Sequence, residues 1–273
     1  MAGTLFVVGT PIGNLGDFSP RAVEILSQCD FIAAEDTRVT IKLLNHFGIK
    51  KPMVSYHEHN RVGRGSVIID RILAGESCAL VSDAGMPIIS DPGEDLVALC
   101  HENDIQIYAV PGPCAFVTAL AISGMPSGRF TFEGFLTKTK QNRKAHLQEL
   151  VNEKRTMIFY EAPHKLPYTL ADMAEYFGDR KIALVKEITK IHESVERTTL
   201  FQAAEKYKDG NMKGEYVLII EGKPEDEAEE PTIDDAKTLA LELMNGGLSK
   251  NEAAKEAAKQ TGIKKSDIYK LLI

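Results

Sequence analysis

The sequence predicts an α/β protein of two domains: a parallel five-stranded N-terminal sheet, a second domain built on a mixed sheet, and a small helical tail. Three observations lead there. Over the first 115 residues, short and almost continuously apolar strands alternate with helix-period segments, the pattern of a parallel sheet covered on both faces. From about residue 116 the strand-like segments become more frequent and the alternation less regular, which fits a mixed sheet. An acidic stretch then precedes a segment with helical spacing alone. The expected boundaries are 1–115 and 116–222 for the two domains, 223–231 for a linker and 232–273 for the tail. A chain of 273 residues suits two domains.

The elements follow in order. Residues 5–10 (LFVVGT) read as a strand, followed by a turn and a helix over 19–29 with Ser19 as N-cap and Pro20 at its first position. A strand at 31–36 leads to a helix at 40–48 stopped by Gly48, with Asp36 or Thr37 as its candidate cap. Strands at 53–57, 78–83 and 105–110 alternate with helices within 61–75 and 95–104. After an apolar helix at 115–124, strands are expected at 130–135, 155–163, 181–189, 194–201 and 215–222, with helices near 141–153, 165–177 and 201–207. In the tail, Ser249 and Glu252 form a capping box and Gly262 breaks the helix they open.

Composition excludes several classes. With 44% apolar and 26% charged residues the chain is neither disordered nor fibrous. No apolar run approaches the ~20 residues of a membrane span, and Met1 leads directly into a strand, so neither a membrane anchor nor a leader is expected. Cys29, Cys78, Cys100 and Cys114 are scattered without a CxxC pair, as in reduced cytoplasmic proteins. No GxSxG nucleophile elbow or P-loop occurs. His57 and His59 form an HxH pair without further ligand spacing, so no metal is expected. The net charge of −7 at first argues against nucleic acid as a partner. Its distribution is uneven, however. Residues 221–231 carry six acids and one Lys; 138–155 carry six Lys or Arg and two acids; 249–273 carry six Lys and three acids. The two basic segments leave room for a local polyanion site.

Ligands of parallel α/β sheets bind at the carboxyl ends of strands. Those ends here hold GTPIGN (9–14), SDAGMP (82–87) and VPGPC (110–114), and nearby strand ends hold EDTR (35–38) and YHEHN (56–60). In the second domain EAPHK (161–165) and KEITK (186–190) take the same place. Taken in order with FEGFL (132–136), these motifs resemble the tetrapyrrole-methylase superfamily, and within it the bacterial branch that methylates 16S ribosomal RNA, over about residues 4–222. Lys165 and Lys186 stand where that branch more usually has Arg, keeping the charge and losing the bidentate fork.

The resemblance implies S-adenosylmethionine bound in a cleft between two α/β domains of a cytoplasmic homodimer, and 2′-O-methylation of a cytidine in the decoding centre of the small ribosomal subunit. Carried over by motif, Pro11, Asp83, Ala84, Gly85, Ile88, Cys114, Ala115, Glu161 and Ala162 would line the cofactor pocket. Methylating a weakly acidic hydroxyl calls for a proton acceptor. The strand-end motifs offer Lys190 and Glu187 first, then His57 and Asp36. Arg38, Arg143, Lys144, Lys165, Lys250, Lys264 and Lys265 are the candidate RNA contacts. Two competing readings keep the fold: methylation of a tetrapyrrole or corrinoid precursor, and a non-catalytic RNA-binding assembly factor.

Overall fold

The structure, a computed structural model, describes residues 2–210, 212–224 and 232–272. Residues Met1–Lys223 form one compact unit and Pro224–Ile273 another. Residues 225–231 of the expected acidic linker lie outside the described residues.

In the first unit β1 (Thr4–Val8), α1 (Pro20–Gln28), β2 (Phe31–Ala34), α2 (Thr37–His46), β3 (Met53–Ser55), α3 (Arg61–Leu73), β4 (Cys78–Val81), α4 (Glu94–Glu102) and β5 (Gln106–Val110) succeed one another. The five strands form a parallel sheet in the order β3-β2-β4-β1-β5. Every residue of β2 and β4 is buried, as central strands covered on both faces require. One face packs Leu26 of α1 and Leu44 of α2 against Ile32 and Val81. The other packs Ile68 and Ile72 of α3 and Leu96 of α4 against Leu5, Phe31 and Leu80. Ser19 caps α1, accepting the Ala22 N–H at 3.1 Å, with Pro20 at the first helical position. Asp36 caps α2 by accepting the Arg38 N–H at 2.8 Å, so this helix begins three residues before the expected position.

The chain continues through α5 (Ala115–Ser123), β6 (Phe130–Phe135), α6 (Lys140–Glu149), β7 (Thr156–Glu161), α7 (Leu166–Phe177), β8 (Lys181–Lys186), β9 (Ser194–Thr199), α8 (Leu200–Tyr207) and β10 (Tyr216–Ile220). The second sheet has the order β6-β7-β10-β8-β9, with β6 and β7 parallel and the other pairs antiparallel. Leu147, Leu170, Met173 and Leu200 cover one face. The other receives α5, whose Ala119 and Leu120 pack with Ile158, Val185 and Val217. Ile12, from the turn after β1, joins that cluster. The turn therefore reaches from the first sheet to the second.

The second unit comprises α9 (Ile233–Asn245), α10 (Lys250–Thr261) and α11 (Lys265–Leu271). Its core is Ala236, Ala240, Ala254, Ala257, Ile268 and Leu272. Capping boxes open α9 (Thr232 with Asp235) and α10 (Ser249 with Glu252), and Gly262, at φ 75°, closes α10. No helix among the described residues is long and apolar enough to cross a membrane.

Candidate active site

The turns after β1, β4 and β5 converge through backbone contacts. Thr10 donates its N–H to the Gly85 carbonyl at 2.8 Å and accepts the Gly85 N–H at 3.2 Å, a single antiparallel bridge between the first two turns. Gly9 donates to Val110 O at 3.0 Å, and a Cβ on Gly9 would stand 2.7 Å from Cα of Gly112. The backbones thus touch where only hydrogen fits. Gly85 adopts φ 87°, a left-handed conformation open to glycine.

These turns form one wall of a cleft of 470 Å³, within the usual range for small-molecule sites. The opposite wall comes from the second sheet, with Tyr160, Glu161 and Ala162 at the end of β7, Ile188 after β8, and Glu215 to Val217 at the start of β10. Of the nine residues expected at a cofactor pocket, Asp83, Ala84, Gly85, Cys114, Ala115, Glu161 and Ala162 line this cleft. Pro11 and Ile88 do not line it, but they adjoin Ile12 and Ile89, which do. Glu161 is almost fully buried and spends its carboxylate inside the protein, accepting Thr169 Oγ1 at 2.5 Å and the Ala162 N–H at 2.8 Å. Its place is to fix the loop after β7.

Sequence reasoning missed three cleft carboxylates, Glu35, Asp91 and Glu215. Glu35 Oε2 accepts the Asp83 N–H at 3.3 Å, while Asp83 Oδ1 accepts the Asp36 N–H at 3.1 Å. Burial raises Glu35, and the Asp83 and Asp36 charges add to that despite the Asp83 N–H. Burial likewise raises Asp83. Asp91, half-buried in the same wall, rises from the ordinary 3.8 to about 7, first through burial and then through the Glu35 charge. Asp91 opens a DPG segment (91–93) after β4. The two acids that bear on Asp91 become neighbours only in the fold.

Of the candidate proton acceptors, Lys190 and Glu187 pair with each other beside the cleft-lining Glu215, and Asp36 adjoins the cleft-lining Asp83. Lys190 donates to Glu187 at 3.0 Å and to Glu215 at 2.9 Å, and its stem packs on the Gly13 turn. Burial pushes its pKa down, but the hydrogen bonds to Glu215 and Glu187 outweigh that and leave it raised. It is an ammonium at neutral pH and ties these turns together. Glu187 is correspondingly lowered: burial opposes the change, and the Glu215 N–H and Lys190 outweigh it. Asp36 falls to about 2, chiefly through the Arg38 side chain, which also makes it a weak base. His57 binds Asn60 through its backbone N–H at 2.9 Å and lies outside the cleft lining. The backbone carries strain on both walls. Ile88 (φ 82°) and Ser90 (φ 66°) flank Ile89, and Glu187 (φ 52°) and Thr189 (φ 65°) flank Ile188. Among the described residues no group of three or more His, Cys, Asp or Glu could hold a metal ion.

The basic segment 138–155 looks different in three dimensions. Arg143, expected on an RNA surface, is mostly buried and paired with Asp172 at 2.6 Å. Lys144 binds Glu175 at 2.9 Å, and Arg155 binds Glu153 at 2.6 Å. Much of the segment's charge is therefore neutralised, two of the three partners standing on α7. Arg38 pairs with Asp36 yet keeps 87% of its side chain exposed. Lys165 is the N-cap residue of α7, directly after the cleft-lining loop. In the tail Lys264 and Lys265 are exposed, and Lys250 lies 4.6 Å over the Tyr269 ring.

Comparison with known proteins decides the family. Residues 4–204 match the tetrapyrrole (corrin/porphyrin) methylases. The chain belongs to that family. Relatives of this methylase include proteins named ribosomal RNA small subunit methyltransferase I from Synechocystis sp., 46% identical over 98% of this chain and 97% of its own, and from Xylella fastidiosa, 46% identical over 98% of each. Among solved structures, uroporphyrin-III-C-methyltransferase from Thermus thermophilus matches with a TM-score of 0.57 at 16% identity, over 80% of this chain and 94% of that one. A cobalt precorrin-4 methyltransferase matches at 0.59, also with 16% identity, over 80% and 94%. These likenesses establish the shared fold.

The methylase family uses S-adenosylmethionine, which supplies a methyl group on a positively charged sulfur. The cleft suits it on two counts. Small residues, Ala84, Gly85, Ala115 and Ala162, leave backbone groups accessible to a ligand. The lining also holds Glu35, Asp83, Asp91 and Glu215 but no Lys, Arg or His, so its field favours a cation.

Proposed function

We propose that the chain methylates the ribose 2′-hydroxyl of a cytidine in the decoding centre of 16S ribosomal RNA, as a cytoplasmic homodimer. The observation that carries this reading is the end-to-end similarity to relatives named ribosomal RNA small subunit methyltransferase I, tail included. The alanine-lined loops and Asp83 hold the methyl donor, and Glu161 keeps the Ala162 loop in place. Lys190 ties the wall after β8 to Glu215 and to the Gly13 turn. Asp91 has the basicity to receive the hydroxyl proton at its carboxylate near neutral pH. Mass mapping of 16S ribosomal RNA from a deletion strain, with and without this chain restored, tests the reading. One cytidine should gain 14 mass units (roughly one methyl group) only when the chain is present, and an unchanged RNA would reject it. A monomeric mass at micromolar concentration would count against the dimer.

The tail supplies the RNA affinity that the acidic cleft lacks. Lys255, Lys259, Lys264, Lys265 and Lys270 are exposed on a helical unit with its own core. Lysines of this kind grip phosphate without reading sequence. Truncation after Gly222 is expected to leave S-adenosylmethionine binding unchanged, to weaken binding to 30S subunits by about tenfold or more, and to flatten its salt dependence. Equal methylation by truncated and full chains at physiological salt would make the tail a structural appendage.

A further inference from the structure

Phe135 stands at the mouth of the cleft with 53% of its surface exposed, an open position for a large apolar ring. It follows a register shift in β6 between Phe132 and Gly134, so the end of this strand departs from regular pairing. The ring is supported from behind. Its centroid lies 5.4 Å from that of Tyr160, Tyr160 meets Phe132 edge-on at 5.0 Å, and Phe132 stacks on Phe116 at 4.4 Å. The Tyr160 hydroxyl accepts the Phe116 N–H at 3.1 Å, which fixes this ladder to the start of α5. Phe135 therefore presents a braced aromatic face to solvent, beside the cleft.

Charge determines what that face can hold. With Glu215 paired to Lys190 and Glu161 bound internally, the lining still carries Glu35, Asp83 and Asp91 and no cationic side chain, so a phosphate brought against that wall is repelled. A nucleotide delivering its ribose there has to be held by another part, and the base offers a π-face that stacks on aromatic side chains. Resting on the reading of this chain as a ribosomal RNA methyltransferase, we propose that Phe135 stacks the unpaired base of the nucleotide whose ribose enters the cleft. Phe135 is a positioning residue for the methyl acceptor, while phosphates are gripped away from the cleft.

Two substitutions test this: Phe135→Leu keeps the apolar bulk and removes the ring, and Phe135→Tyr keeps both. With 30S subunits carrying unmodified 16S ribosomal RNA, Phe135→Leu should raise KM about 10- to 100-fold, the range for one lost stacking contact, with kcat little changed. Phe135→Tyr should behave as the parent. Binding of S-adenosylmethionine without RNA, followed by calorimetry, should be the same in all three. Equilibrium binding to the same subunits gives a readout independent of turnover. Phe135→Leu should weaken it by a similar factor with an unchanged salt slope, because stacking releases no counterions. A wild-type KM in Phe135→Leu, a fall in cofactor affinity alongside the rise in KM, or an altered salt slope would overturn the proposal. If Phe135→Leu does not fold, a raised KM in a folded Phe135→Tyr overturns it, and parental KM together with quenching of a pyrrolocytidine at the target position supports it. Failure of the parent chain to methylate subunits would instead refute the functional reading itself.

Discussion

Alanine at Gly9 is expected to abolish S-adenosylmethionine binding, by a factor of about 100 or more, while leaving a folded protein. The added Cβ would stand 2.7 Å from Gly112 Cα, 2.8 Å from Gly112 N and 2.8 Å from Met86 Sδ. The sulfur can swing away; the backbone of the segment after β5 cannot. Relief requires that segment to move off the turn after β1, carrying Cys114 and Ala115 out of the cleft wall. Overpacking of this kind costs typically about 1–3 kcal/mol in stability, tolerable for a domain of this size, so the binding site is lost before the fold. Gly112→Ala should act alike, since its Cβ would meet Gly9 backbone atoms at 2.9 Å. Gly63→Ala is the control. It lies within α3 with nothing within 4 Å of the new methyl, and should raise stability by roughly 0.5–1 kcal/mol through helix propensity. Calorimetric titration with thermal melting distinguishes the three, and cofactor affinity within threefold of the parent in Gly9→Ala would contradict the close-contact account.

Asp91→Asn should make the protein more stable and a poorer binder, with both effects set by pH. Burial and the Glu35 charge raise Asp91 from 3.8 to about 7, so between those values the folded chain holds a proton that the unfolded chain has released. Stability from this group is therefore full below about pH 4 and is lost as pH rises through 7. The amide removes that loss. After allowance for partial exposure, which screens the effect to about 1 kcal/mol, Asp91→Asn should melt roughly 2–4 °C higher than the parent at pH 8, the gap closing toward pH 4. Affinity for the cationic cofactor should rise in the parent as pH passes 7 and stay flat in the variant. An amide variant that loses stability equally at pH 5 and pH 8 would mean that Asp91 is held by hydrogen bonds rather than opposed by its neighbours.

What the sequence displayed and what it hid follow from the range of the interactions involved. The strands are legible because β2 and β4 are apolar on both faces, and the caps because Ser19, Asp36 and Ser249 act within three residues. The segment KIALVKEIT reads as one strand because Ile188 continues its apolar pattern, yet β8 ends at Lys186, before the left-handed backbone of Glu187. The charge on α6 reads as a free basic patch because Asp172 and Glu175 lie about 30 residues further on (roughly three typical helices away), on α7. The turns announce a cleft through their glycines and prolines. The carboxylates that give it a sign lie at the ends of different strands, and only the parallel order of β2 and β4 brings Glu35 to Asp83.

Four of the five non-glycine residues with left-handed backbone among those described, Ile88, Ser90, Glu187 and Thr189, flank cleft-lining positions, two on each wall. Such conformations store of the order of 1–3 kcal/mol each, most at a β-branched residue such as Ile88. Selection of this chain for heat tolerance alone would find these sites early, because glycine or asparagine there relaxes the loop. Lineages that took that route would gain melting temperature and lose turnover. Heat-adapted descendants that remain active should carry their changes elsewhere, on exposed helix positions such as Gly63, with both pairs of strained residues intact.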